Sequence, residues 1–521
     1  MAQTFEDISK EVVNRFLQNI LFIDDKAYQS DNKENEFDAN KISKVFAKEG
    51  KLCTIYAPST EGDLCACSSL FSKSDVIVLD WYLDLTTEKQ EIDADVDADA
   101  DEPRGYYTKK LIKEIVIDAK EDKLKLVVIY TGETDLHAIT KDIYELIQKY
   151  GNFSLDDCCL SSANVLILIC AKYNGDEQFK HLGELKSKVV KYEELPDFIT
   201  TVFARFVNGL FPNYVLSVIS LIRNNTSHIL NVFSKDIDAA FMGHYISIPD
   251  SSDAVFMLSK IFGAAITNLI DISNFDVKYW IESWIDENIK ERTVTINGKN
   301  VNINAEILKK IVASIDNFET TFNNYFDLKI NEYQVDSFKK DSINLFSIGD
   351  AETSNYKWAK LVQHSNLFSS PKVHQLRMGT ILKYQNGDDW KYLICIQQSC
   401  DSVRIQKGEE RSFLFLPLIK GIKGEAVVIE GNDHLIVDGK SYSIELYKFS
   451  PINEMDTQII AQLIDNERYI FIDKDGRQFV WLAELKEMFA QHIVSAYASQ
   501  LSRVGIDNSE WIRLLGKKIS K

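Results

Sequence analysis

Two short apolar runs, Asn19-Ile-Leu-Phe-Ile23 and Asp75-Val-Ile-Val-Leu79, each end in carboxylates. Asp24 and Asp25 follow the first, and Asp80 follows the second. Neither run alternates apolar with polar residues, so both faces of each must be covered, as in strands inside a parallel sheet. Such sheets gather ligands at the carboxyl ends of their strands. Three acids brought to that end repel one another and call for a cation, most simply Mg2+.

The neighbouring segments extend the pattern. Strands are expected over 19–23, 52–56, 75–79, 125–130 and 164–171, with helices over 39–48, 62–71, 106–119 and 135–150. Strands and helices in strict alternation, with short connections, predict a doubly wound parallel sheet with right-handed crossovers. Residues 93–102 are a run of alternating Asp. They lack the Gly at the sixth position and the Glu at the twelfth of an EF-hand, and read as a solvated insertion.

Beyond about 185 the period changes. Phe198, Val202, Phe203 and Phe206 recur at helical spacing, as do Val215, Val218, Ile219 and Ile222, and helices are expected over 254–270 and 304–325. An Asn297-Gly298 turn between alternating arms marks a hairpin over 293–303. From about 375 strand-like runs dominate (379–384, 390–396, 412–416, 426–430, 434–437, 442–447 and 468–472), followed by an amphipathic helix over 482–501. The expected organisation is an α/β domain over 1–185 and a mostly helical domain over 186–368. A small antiparallel β-barrel over 369–481 and a helical segment over 482–521 follow.

A formal net charge of -19 argues against a DNA-binding surface, which needs clustered Lys and Arg. The opening residues have neither the basic nor the apolar part of a secretory signal. The longest uninterrupted apolar run, 165–171, is far short of the roughly 20 residues that span a bilayer. Eight cysteines without a Cys-x-x-Cys pair make no disulfide framework. A reduced, cytoplasmic protein without a membrane span is expected.

Asp24 and Asp25 after the first strand, Asp80 after the third, Thr131 after the fourth and Lys172 after the fifth together resemble a response-regulator receiver. The resemblance covers about a third of the chain and implies the flavodoxin-like strand order 2-1-3-4-5. It implies that Asp80 accepts a phosphoryl group from a histidine kinase. Asp24, Asp25, Asp80 and the backbone carbonyl of Tyr82 would hold Mg2+, Lys172 would place a charge on the phosphoryl group, and Thr131 would turn its hydroxyl toward it. Two positions depart from the family: Tyr173 stands where a proline usually follows the lysine, and Ile169 where an aromatic switch residue is common.

A divergent receiver followed by helices and a strand-rich tail is also similar to receiver proteins of antiphage two-component systems of the Detocs kind. With no recognisable nucleosidase segment, a phosphate-buffering role fits better than an effector role, and the chain is expected to be a phosphoacceptor rather than an enzyme. The helical region is the expected site of homodimerisation. Two other functions stay open: a receiver-controlled effector whose barrel has nuclease or other toxic activity using Cys400 and Asp401, and a docking scaffold. Ser227-His228 lies on an apolar helical segment and reads as a packed or capping histidine.

Overall fold

The computed structural model describes residues 3–28, 38–85, 105–119, 124–173, 183–248, 251–273, 275–296, 298–313, 341–367, 373–406, 408–421, 424–429, 434–453, 456–464 and 468–501. The acidic run 93–102 and the segment beyond 501 lie outside the described residues, as do Asn297 of the hairpin turn and most of 304–325. The chain divides into two compact units, residues 1–290 with 304–315, and residues 291–303 with 316–521.

The first unit opens on α1 (Phe5–Phe16), which runs into β1 (Asn19–Ile23). Then come α2 (Ala39–Lys48), β2 (Leu52–Tyr56), α3 (Glu61–Phe71), β3 (Val76–Leu79), α4 (Tyr106–Ala119), β4 (Lys125–Thr131) and α5 (Leu136–Ile147). A hairpin of β5 (Ser154–Asp156) and β6 (Cys159–Ser161) precedes β7 (Val165–Lys172), and the two-residue β8 (Val189–Val190) follows. Five of the parallel strands lie in the order β2-β1-β3-β4-β7, as expected, and β8 pairs parallel to β7. The sheet as a whole is mixed rather than purely parallel, because β6 pairs antiparallel to β7 and β5 extends that edge.

Side-chain parity divides the strands between two cores, since successive strand residues point to opposite faces. Leu21, Ile23, Ile77, Leu79, Val127 and Ile129 pack beneath α3, α4 and α5. Ile20, Phe22, Val76, Val78, Val128 and Tyr130 pack beneath α1, α2 and α6 (Leu195–Phe206). The helix α1 was not among the expected elements, although its signals are present. Thr4 and Asp7 form a reciprocal capping box, and Phe5, Ile8, Val12, Val13 and Phe16 make the buried stripe.

The unit continues through α7 (Leu210–Asn224), α8 (Thr226–Val232), α9 (Asp238–Ser247), α10 (Ser251–Ser273), α11 (Val277–Asn288) and α12 (Ala305–Ala313). Helix α10 contains a stretch, Ala254–Ser273, long and apolar enough to cross a membrane by length and composition alone. Uninterrupted runs understate this stretch because Ser259, Lys260, Thr267 and Asn268 break it. Much of its apolar surface is exposed, including Val255, Phe256, Leu258, Ile261 and Phe262. His228 on α8 is exposed rather than packed.

The second unit holds the hairpin β9 (Arg292–Ile296) and β10 (Lys299–Ile303), the helix Ala351–Gln363 and a nine-stranded antiparallel sheet. That sheet comprises β11 (Thr380–Asn386), β12 (Asp389–Cys395), β13 (Arg411–Ile419), β14 (Ala426–Val428) and β15 (His434–Val437). It continues with β16 (Glu445–Phe449), β17 (Gln462–Ile464), β18 (Arg468–Ile472) and β19 (Gln478–Glu484). Its path runs from β14 to β17 with β16 branching off β13, and among the described residues no pairing joins those two ends. The expected barrel closure is therefore not borne out. The expected helix start at 482 also moves, because Leu482-Ala-Glu484 continues β19 in pairing with β11 and the helix begins at Glu487. Cys400 and Asp401 lie exposed in a single 3-10 turn after β12.

Candidate functional site

Strand register brings the acids together. Ile23 pairs with Leu79, so Asp24 and Asp80 leave neighbouring strands at the same level. Backbone bonds hold that exit: the Asp80 amide donates to Ile23 O at 3.0 Å and the Asp24 amide to Tyr56 O at 3.2 Å. From the far side, Thr131 pairs with Ala171, which sets Lys172 one residue past the end of β4.

Residues 24, 80 and 172 share side-chain parity along their strands, and the structure brings them into contact. Lys172 Nζ donates to Asp24 Oδ2 and to Asp80 Oδ1, both at 2.9 Å. Asp24 and Lys172 are buried, while Asp80 keeps partial access to solvent. Burial alone disfavours the Lys172 charge, but Asp80 and Asp24 outweigh it and raise its pKa, so the ammonium persists. Burial pushes the Asp80 carboxyl upward, Lys172 pulls it back, and Asp24 adds to the push.

Asp25 differs. Its Oδ1 is buried with no hydrogen-bond partner. Burial, with the Asp24 charge second, pushes its pKa up to about 6. A buried carboxylate oxygen without a partner is costly in a folded chain, and a hard cation with oxygen ligands is the group that satisfies it. The residues present therefore fit a Mg2+ ion.

The other expected positions sit close by. Thr131 is buried at the end of β4, and its hydroxyl accepts from the Glu133 amide at 3.1 Å. Tyr82 lies in the loop after β3, its ring exposed and Lys26 Nζ 5.6 Å from the ring centre. Trp81, between Asp80 and Tyr82, is buried against Gly105. A Cβ at Gly105 would come within 2.4 Å of the indole, and its φ of +79° lies in the left-handed region.

Sequence reasoning missed two contributors. The Thr108 hydroxyl donates to the Asp80 carbonyl at 2.7 Å and ties α4 to the loop carrying the acid. Tyr130 lies under the Lys172 ammonium, 5.9 Å from the ring centre, and its hydroxyl donates to Val190 O at 2.9 Å. The only sequence signal for Tyr130 is a polar-tipped aromatic in an otherwise aliphatic strand. Ile169 is buried beneath α5, so β7 offers no aromatic at the usual switch position.

Residues 16–177 match the family model of the response receiver domain. The matched stretch begins at the last residue of α1 and contains Asp24, Asp25, Asp80, Thr131 and Lys172. No curated protein and no solved structure matches the chain.

Proposed function

We propose, from the receiver domain that residues 16–177 carry, that this protein accepts a phosphoryl group on Asp80 from a histidine kinase. The observation that carries the reading is the meeting of Asp24, Asp80 and Lys172, with the unpartnered Asp25 oxygen beside them. One Asp80 oxygen attacks phosphorus, the phosphorus–nitrogen bond to the kinase imidazole breaks, and the imidazole leaves. Lys172 neutralises charge on the transferred group, and Thr131 hydrogen-bonds it. Asp24, Asp25, Asp80 and the Tyr82 carbonyl would hold Mg2+, which would supply orientation and further charge neutralisation. Turnover by the receiver is confined to the chain's own aspartyl phosphate. The deciding experiment is phosphotransfer from a histidine kinase, or from acetyl phosphate with Mg2+, to the full chain. An acid-stable, base-labile label is expected on the protein, and none at all would sink the reading.

The role we propose is a cytoplasmic signal buffer, in an antiphage two-component system of the Detocs kind. Three features support a sink: a net charge of -19, Ile169 at the usual switch position, and Cys400 and Asp401 lying exposed on a surface turn. Homodimerisation through the helices is part of the proposal, supported by the exposed apolar residues of α10. Light scattering should give twice the 59.6 kDa chain mass, and Ile261→Asp should return it to the single-chain value.

The raised pKa of Asp25 gives the metal a pH signature. The folded chain holds this proton more tightly than the unfolded chain, so the group costs stability as pH rises from about 4 to about 6. Mg2+ binds only the ionised form and removes that cost. The gain in melting temperature on adding Mg2+ is expected to be larger at pH 7 than at pH 5. An equal gain at both would contradict the assignment of Asp25 to the metal.

A further inference from the structure

Away from Asp80, at the outer edge of the sheet, the turn of the β5–β6 hairpin meets the first turn of α5. We propose that His137, Asp157 and Cys158 form there a second cation site, for a thiophilic divalent ion of the zinc class. One donor atom from each residue lies within 4.8 Å of the other two. Neighbouring donors around a tetrahedral zinc, with bonds of 2.0–2.3 Å, stand about 3.5 Å apart. A closure of about 1 Å is therefore needed. His137 and Asp157 are exposed, so side-chain rotation can make it, while Cys158 is buried.

The cysteine is built into place. Its φ of +59° puts a residue with a Cβ in the left-handed region, which costs on the order of 1 kcal/mol and favours Gly or Asn. Its carbonyl accepts from the Ile169 amide at 2.9 Å, which locks the turn onto β7. Thr140, one turn after His137 on α5, donates its hydroxyl to the Leu136 carbonyl at 2.6 Å, within the turn that carries His137.

The donor set separates this site from the one at Asp80. Thiolate, imidazole and carboxylate together suit zinc, with water in the fourth position, whereas Mg2+ takes oxygen ligands. Lys188 Nζ stands 3.6 Å from Asp157 Oδ2, a loose pair that an ion must share. Filling the site would clamp the start of α5 to the hairpin and so restrain the short loop that leaves Thr131.

Cobalt reports this chemistry directly. The full chain, stripped with chelator and kept reduced, is titrated with Co2+ and followed by absorbance. One equivalent should raise a near-ultraviolet thiolate-to-cobalt band that Zn2+ bleaches. Cys158→Ser should lose the band, His137→Ala and Asp157→Asn should weaken binding at least ~10-fold, and Asp80→Asn should leave it intact. Absence of the band, or its survival in Cys158→Ser, overturns the proposal. Should Cys158→Ser fail to fold, the exposed His137→Ala decides alone, and wild-type cobalt affinity in that variant also overturns it.

Discussion

Asp80→Asn is expected to abolish phosphoryl transfer to the chain while leaving the fold intact. An amide has no charged oxygen to attack phosphorus, and no nearby group replaces it. Asp24 is buried under Lys172, and Asp25 has its oxygen turned into a buried site. The fold should survive because Lys172 keeps Asp24 as its partner. With a cognate kinase and radiolabelled ATP, the variant should show no label above background and a melting temperature close to wild type. Label equal to wild type would remove Asp80 as acceptor. In cells that carry the kinase and its effector, the same variant should release the signal that a buffer absorbs, read as growth arrest without phage. Unchanged growth, in a variant proven unphosphorylatable, would count against buffering and leave the acceptor chemistry standing.

Lys172→Ala should cost both stability and transfer. The ammonium bridges two carboxylates at 2.9 Å and is buried with one of them. Removing one partner from a buried ion pair costs roughly 3–5 kcal/mol, because the charge left behind is uncompensated. Here two are left behind. Thermal melting should show the loss, and Mg2+ should restore more stability to the variant than it adds to wild type, since it answers the same excess charge. Transfer measured in saturating Mg2+, where the fold is recovered, should still fall about 100-fold, the usual cost of one electrostatic contact to a developing charge. A variant as stable as wild type without metal would show that the bridge contributes little.

Much of the first unit was legible because its signals are local. Buried parallel strands need unbroken aliphatic runs, and 19–23, 76–79, 125–131 and 165–172 have them. The acids follow at the strand ends. The β5–β6 hairpin was not legible, since two three-residue strands carry no periodicity and Cys158 turns where a Gly would be expected. The helix α1 carries local signals of the same kind in its capping box and apolar stripe. In the second unit the strands were recognisable one by one, but closure depends on which distant edges meet. Leu482-Ala-Glu484 shows the same limit, because its apolar character suits a helix and its pairing with β11 makes it strand.

By itself, the sequence determined that three carboxylates, a hydroxyl and an ammonium stand at the ends of buried parallel strands. Strand chemistry and the two-residue side-chain period are enough to say so. Only the tertiary structure decided their relations. Register between strands many residues apart puts Lys172 on both Asp24 and Asp80, and leaves Asp25 Oδ1 buried without a hydrogen-bond partner. The same long-range packing sets His137 beside Asp157 and Cys158. No local pattern encodes those distances, because they are fixed by how separate elements stack rather than by any one of them.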